Sequence, residues 1–99
     1  MLDPTTSPLA KRVPCHSPEA HAEAMHGETV LLQSRTEEYF SLNEVGARLW
    51  DLSDGQRNVA DIFLVLRNEY AVDAGELYAD MADLLTDLVA NQLMTWAGD

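Results

Sequence analysis

Tyr39-Phe40-Ser41-Leu42-Asn43-Glu44-Val45-Gly46-Ala47-Arg48-Leu49-Trp50 changes backbone period within one short run. Tyr39 to Leu42 is aromatic and apolar, as a strand is. Asn43 is a good N-cap, because its side-chain oxygen accepts from N–H groups that a first helical turn leaves unpaired. Val45, Leu49, Trp50 and Leu52 then give a helix its apolar side. The run predicts a strand, a corner at Asn43 and a helix to about Ser53. Asp54-Gly55 closes it, since glycine is free to take a left-handed cap.

Upstream, Thr29-Val30-Leu31-Leu32-Gln33 reads as a second strand. Ser34 to Glu38 suits a hairpin connection. The first 27 residues differ from the rest: they hold Pro4, Pro8, Pro14 and Pro18, all three histidines and few bulky apolar groups. Residues 1–12 read as a flexible tail. Val13 to His16 suits a short edge strand, where proline is tolerated. Residues 17–27 read as a loop with room for a helical turn.

Downstream, Asn58 caps a second helix, with Asp61 at the third position completing a capping box. Val59, Ile62, Phe63, Leu66 and Tyr70 form its apolar stripe, and Leu64 falls on the polar side. A third helix runs from about Gly75 to Gln92, and Leu93 to Trp96 reads as a short extended end. On the third helix Glu76, Asp80, Asp83 and Asp87 lie within about 60° of one another, a single acidic stripe. Its apolar residues cover about half the circumference, more than the ~100° that a one-sided surface helix needs. The surplus either packs on the core or faces a groove.

The chain has 99 residues, enough for one modest core, and a formal net charge of −11. That charge is concentrated at the end: residues 58–99 carry one basic and eight acidic groups. Such a surface repels DNA, RNA and anionic membranes. No apolar run reaches the ~18–20 residues of a bilayer span, and Met1-Leu2-Asp3-Pro4 lacks a signal pattern. The single cysteine, Cys15, fits a reducing cytoplasm.

The ordered set Leu42-Asn43, Gly46-Ala47, Leu49-Trp50, Asp54-Gly55, Val59-Ala60-Asp61-Ile62 and Tyr70, after the aromatic pair Tyr39-Phe40, resembles the PqqD-like family. These are the peptide chaperones, or RiPP recognition elements, of ribosomal peptide natural-product pathways. Tyr70-Ala71-Val72-Asp73 before an acidic-apolar helix also looks like the family, and the likeness covers about residues 28–94. The resemblance implies an α+β, winged-helix-turn-helix-like fold: a three-stranded antiparallel sheet followed by three helices, in a peptide-binding domain over residues 13–96. It implies a non-catalytic module, without cofactor or metal, that binds the leader of a precursor peptide. The leader adds as a strand to the third strand and lies against the third helix. Carried over, the edge is Glu38 to Leu42; the implied peptide contacts are Glu37, Glu38, Tyr39, Phe40 and Ser41 on that side and Leu77, Asp80, Met81, Leu84 and Leu88 on the helix. The implied partners are the leader peptide and a tailoring enzyme such as a peptidase or a radical enzyme, with a slight leaning to the lasso-peptide type. Two departures stand out. Glu37-Glu38 occupy the place where the family commonly has glycine, and the segment before the second strand is longer than the family pattern.

Other chemistry is weaker. Cys15, His16, His21 and His26 lack a standard metal-ligand spacing. Cys15 and His16 are neighbours whose side chains would leave a strand on opposite faces. Glu76/Asp80 and Asp83/Asp87 are carboxylate pairs on an exposed helix face, which does not raise a carboxyl pKa enough for acid–base work. A winged-helix DNA-binding regulator would present its recognition helix to phosphates with the wrong sign. An acidic carrier protein would need an Asp-Ser-Leu attachment sequence at a helix start, and Ser53 ends a helix instead. An adaptor or a homodimer through the edge strand is the remaining alternative.

Overall fold

The computed structural model describes residues 8–26 and 28–98. Five strands and three helices follow in order: β1 (Pro14–His16), β2 (Ala20–Met25), β3 (Glu28–Gln33), β4 (Glu38–Leu42), α1 (Glu44–Leu52), α2 (Val59–Glu69), α3 (Ala74–Ala90) and β5 (Met94–Trp96). The main sheet is antiparallel with order β2-β3-β4; α1 packs on β3 and β4, and α2 and α3 pack on α1 and on each other.

The sheet's first strand is a correction. Residues 17–27 were expected to loop, yet Ala20–Met25 pairs with β3 in register from Ala20 opposite Gln33 to Met25 opposite Glu28. The alanines make the segment read as weakly helical. Pairing overrides that tendency, and the period of two is there: Ala20, Ala22 and Ala24 share the face of Leu31, while His21, Glu23 and Met25 share the other. The strand expected over Val13–His16 does form, but in a separate two-stranded ladder with β5.

That small ladder ties the two ends of the domain together. The Ala97 N–H donates to Val13 O at 2.7 Å and the Ser17 N–H to Leu93 O at 3.0 Å. The Arg12 guanidinium lies 4.4 Å from the Trp96 ring centroid. The same N-terminal arm meets the α1–α2 loop, where the Gly55 and Val59 N–H groups donate to Pro14 O and Arg12 O. Of the tail expected over 1–12, residues 1–7 lie outside the described residues; Pro8–Lys11 form a 3-10 turn with Ala10 buried.

The corners form as their caps dictate. The Asn43 side chain accepts from the Gly46 N–H at 2.8 Å. Asn58 and Asp61 make the reciprocal capping box at the start of α2. Asp73 caps α3 by accepting from the Glu76 N–H at 3.0 Å. The last turn of α3 closes with Leu93 N–H to Leu88 O and Gln92 N–H to Val89 O, and Gln92 takes the left-handed position at φ 60°. Glycine is the usual occupant of that position.

The core lies between the sheet and the three helices. Leu31, Leu49, Ile62, Leu66, Leu85, Leu88 and Leu93 are sealed from solvent. Each such side chain contributes roughly 1.5–3 kcal/mol by leaving water. Trp50 is buried, and the His16 ring stacks on it with centroids 3.7 Å apart and planes 6° from parallel. The His16 Nε2 sits 2.6 Å from the Trp50 carbonyl oxygen, which fixes the ring over the indole.

Candidate functional site

β4 hydrogen-bonds to β3 on one side only, and among the described residues no strand occupies its other edge. Beyond that edge a cleft of about 490 Å³ opens between the end of β4, α1 and α3. Three features of the sequence create it. Asn43 turns the chain sharply from β4 into α1, so Ser41 and Leu42 stand at the mouth. Gly46 faces α3 without a side chain: a Cβ there would sit 3.3 Å from Leu84 Cδ2 and 3.2 Å from Asn43 Oδ1. The half-helical surplus of apolar groups on α3 then supplies one wall.

The lining divides by chemistry. Leu42, Val45, Leu49, Leu77, Met81 and Leu84 make an apolar floor and walls. Val72, in the link between α2 and α3, sits on the rim with nearly half its surface exposed. Glu76 and Asp80 are the charged groups of the lining, and both are exposed. An open strand edge beside an apolar trough can hold an extended segment by main-chain hydrogen bonds and read its side chains in the trough.

Of the residues expected at the site, Ser41, Leu77, Asp80, Met81 and Leu84 come together around the cleft. Glu38, Tyr39 and Phe40 lie along the same strand but outside that lining. Tyr39 is 69% exposed and projects from the sheet face opposite the helices, whereas half-buried Phe40 pairs with Leu31 and turns toward the core. Glu37 is in the turn with φ 62°, a left-handed conformation that favours glycine. Leu88 is 1% exposed and belongs to the core rather than to the cleft. Leu42, the end of the expected edge, also lines the cleft. The sequence reading missed Val45, Leu49, Val72 and Glu76 as lining groups, and it read Asn43 and Gly46 as scaffold alone. Their signal was present: an N-cap with glycine at its third helical position marks a close approach, and close approach leaves room for a ligand as well as for a neighbouring helix.

A second, shallower hollow of about 250 Å³ lies on the other side of Leu42 and Asn43, beside Arg48 and Tyr70. Arg48 holds Glu69 through two hydrogen bonds of 2.8 Å, from Nε and from a terminal guanidinium nitrogen. The Arg48 bond keeps the Glu69 carboxyl below its ordinary range. Removal of the Tyr70 phenol from water, with Glu44 and Glu69 near it, pushes that group up. Among the described residues no three His, Cys, Asp or Glu side chains gather to hold a metal ion. The Cys15 Sγ lies 3.1 Å from the Thr95 hydroxyl across the β1–β5 ladder.

The family model described as coenzyme PQQ synthesis protein D (PqqD) matches residues 28–94, from β3 to the start of β5. The chain belongs to the PqqD family. Two solved structures share the fold of this PqqD-family chain. One, titled TbiB1 in complex with the TbiA(beta) leader peptide, is 29% identical with a TM-score of 0.72, over 86% of this chain and 96% of that one. The other, a lasso peptide synthetase B1 complexed with the leader peptide, is 28% identical with a TM-score of 0.74, over 84% of this chain and 98% of that one. No curated protein matches the chain. No helix among the described residues is long and apolar enough to cross a membrane.

Proposed function

We propose that this PqqD-family chain is a non-catalytic module that binds the leader of a ribosomally made precursor peptide and delivers it to a tailoring enzyme, such as a peptidase or a radical enzyme. The observation that carries the reading is the continuity of the open β4 edge with the apolar cleft against α3. A leader strand added along Glu38–Leu42 would place alternate side chains over Leu77, Met81 and Leu84 and the others beside Tyr39. Each main-chain bond adds about 0.5–1.5 kcal/mol, and apolar side chains seated in the trough add to it by leaving water. Both structural relatives are complexes with leader peptides, and this supports the same ligand class here. The binding domain is residues 13–96, and the setting is the cytoplasm.

The test is fluorescence polarisation with a labelled leader from the precursor encoded beside this gene, repeated on Tyr39→Pro and Phe40→Pro. Successive residues in a strand aim their N–H groups alternately at the neighbouring strand and at the open edge. One of the two prolines therefore removes only an edge donor. Saturable binding that is lost in the variant retaining wild-type circular dichroism supports strand addition. No binding at high protein concentration contradicts it. Concentration-dependent sedimentation without peptide binding would assign the edge to a second copy of the chain.

A further inference from the structure

The acidic stripe of α3 divides in the structure. Glu76 and Asp80 line the cleft, whereas Asp83 and Asp87 are exposed but lie outside it. Glu76 and Asp80 are one helical turn apart, roughly 6 Å along the axis. Neither takes part in an ion pair among the described residues: Arg35, Arg48 and Arg57 are held by Glu19, Glu69 and Asp54. No cationic side chain lines the cleft. Two carboxylates therefore stand over an apolar trough without a counter-charge of their own. An anionic segment in that trough would be repelled, and a purely apolar one would leave the carboxylates partly desolvated and unpaired, which is unfavourable.

We infer that the segment bound in this cleft carries a lysine or arginine within two residues of the apolar side chain seated on Leu77 and Met81, and that Glu76 and Asp80 select it. The inference rests on the peptide-binding reading and deepens it by naming the chemistry of the peptide. The geometry suits an extended occupant: on a strand, residues i and i+2 share a face about 6.5 Å apart, close to the carboxylate spacing. The overall charge of the protein brings cationic peptides closer, and the two cleft carboxylates set the register. Asp83 and Asp87 contribute only to the general field.

The experiment is selection of a displayed random dodecapeptide library on three proteins: wild type, Glu76→Gln/Asp80→Asn, and Asp83→Asn/Asp87→Asn. All four side chains are exposed, and each replacement is close to isosteric, so the fold is retained; circular dichroism checks it. Expected on wild type and on the Asp83/Asp87 variant are peptides with lysine or arginine within two residues of an apolar residue. On Glu76→Gln/Asp80→Asn that basic preference disappears while the apolar preference stays. Polarisation of one enriched peptide should weaken by about two- to tenfold in the Glu76/Asp80 variant, with the difference shrinking in high salt. Enriched peptides without a basic residue overturn the inference but leave peptide binding standing. A basic preference that survives in Glu76→Gln/Asp80→Asn, or vanishes equally in the Asp83/Asp87 variant, also overturns it. No enrichment on any protein overturns the peptide-binding reading itself.

Discussion

The side-chain amide of Gln33, sealed from solvent, donates to the main-chain carbonyl of Gln92 at 2.7 Å. The same side chain accepts from the Arg35 N–H at 2.7 Å. One buried polar group thus joins the hairpin turn before β4 to the left-handed turn that ends α3. The sheet edge and the helix that bound the cleft are held to each other at their far ends by this contact.

Gln33→Leu should therefore destabilise the domain by roughly 1–3 kcal/mol, because the Gln92 carbonyl and the Arg35 N–H each lose the hydrogen bond that Gln33 makes. Urea unfolding followed by circular dichroism measures it. Unchanged stability would show that neither group depends on Gln33.

Gly46→Ala acts on the cleft. Helix propensity favours alanine by about 1 kcal/mol, but the new Cβ meets Leu84 and Asn43 at 3.3 and 3.2 Å and must displace one of them. The expected outcome is a thermal midpoint within a few degrees of wild type, with peptide affinity at least threefold weaker. Unimpaired affinity would show that the cleft wall near Leu84 does not touch the peptide.

Tyr78 carries a buried hydroxyl that has no hydrogen-bond partner among the described residues, while its ring packs edge-on against Phe63 with centroids 5.7 Å apart. Tyr78→Phe keeps the ring contact and removes the unpaired oxygen. Stability should stay the same or rise by about 1 kcal/mol. A loss of that size in urea unfolding would reveal a partner for the hydroxyl.

Arg48 and Glu69 join the surfaces of α1 and α2. Because the Arg48 bond lowers the Glu69 pKa in the folded protein, its contribution is present at neutral pH and is lost as pH falls through that lowered value. The stability gap between wild type and Arg48→Met should therefore be largest at pH 7 and close at the acid end of a urea–pH series. A gap independent of pH would assign the effect to lost packing of the arginine stem.

The legible parts of the fold were those written in strong local chemistry. Asn43, Asn58 and Asp61 are caps whose side chains make the bonds their residue types predict. β3 and β4 showed themselves by their apolar and aromatic runs. β2 was obscured because Ala20, Ala22 and Ala24 offer little apolar surface and favour helix in isolation; only pairing with β3 makes the segment a strand. The partner of β1 was illegible because its ladder joins Pro14–His16 to Met94–Trp96, across nearly the whole chain. At the site, the α3 residues Leu77, Asp80, Met81 and Leu84 followed from helical spacing and the family likeness. Leu88 continued the same stripe but passes under the core, since spacing reveals a face and not where a cleft ends along it.

The most direct test of strand addition is amide hydrogen exchange along β4, residue by residue, with and without a saturating leader peptide. The account predicts new protection at alternate residues of Glu38–Leu42, the set whose N–H groups face the open edge, together with slowed exchange or shifted signals at Gly46 and along α3 near Leu84. Saturable binding that leaves every β4 amide unprotected, or that protects β2 instead, would contradict it.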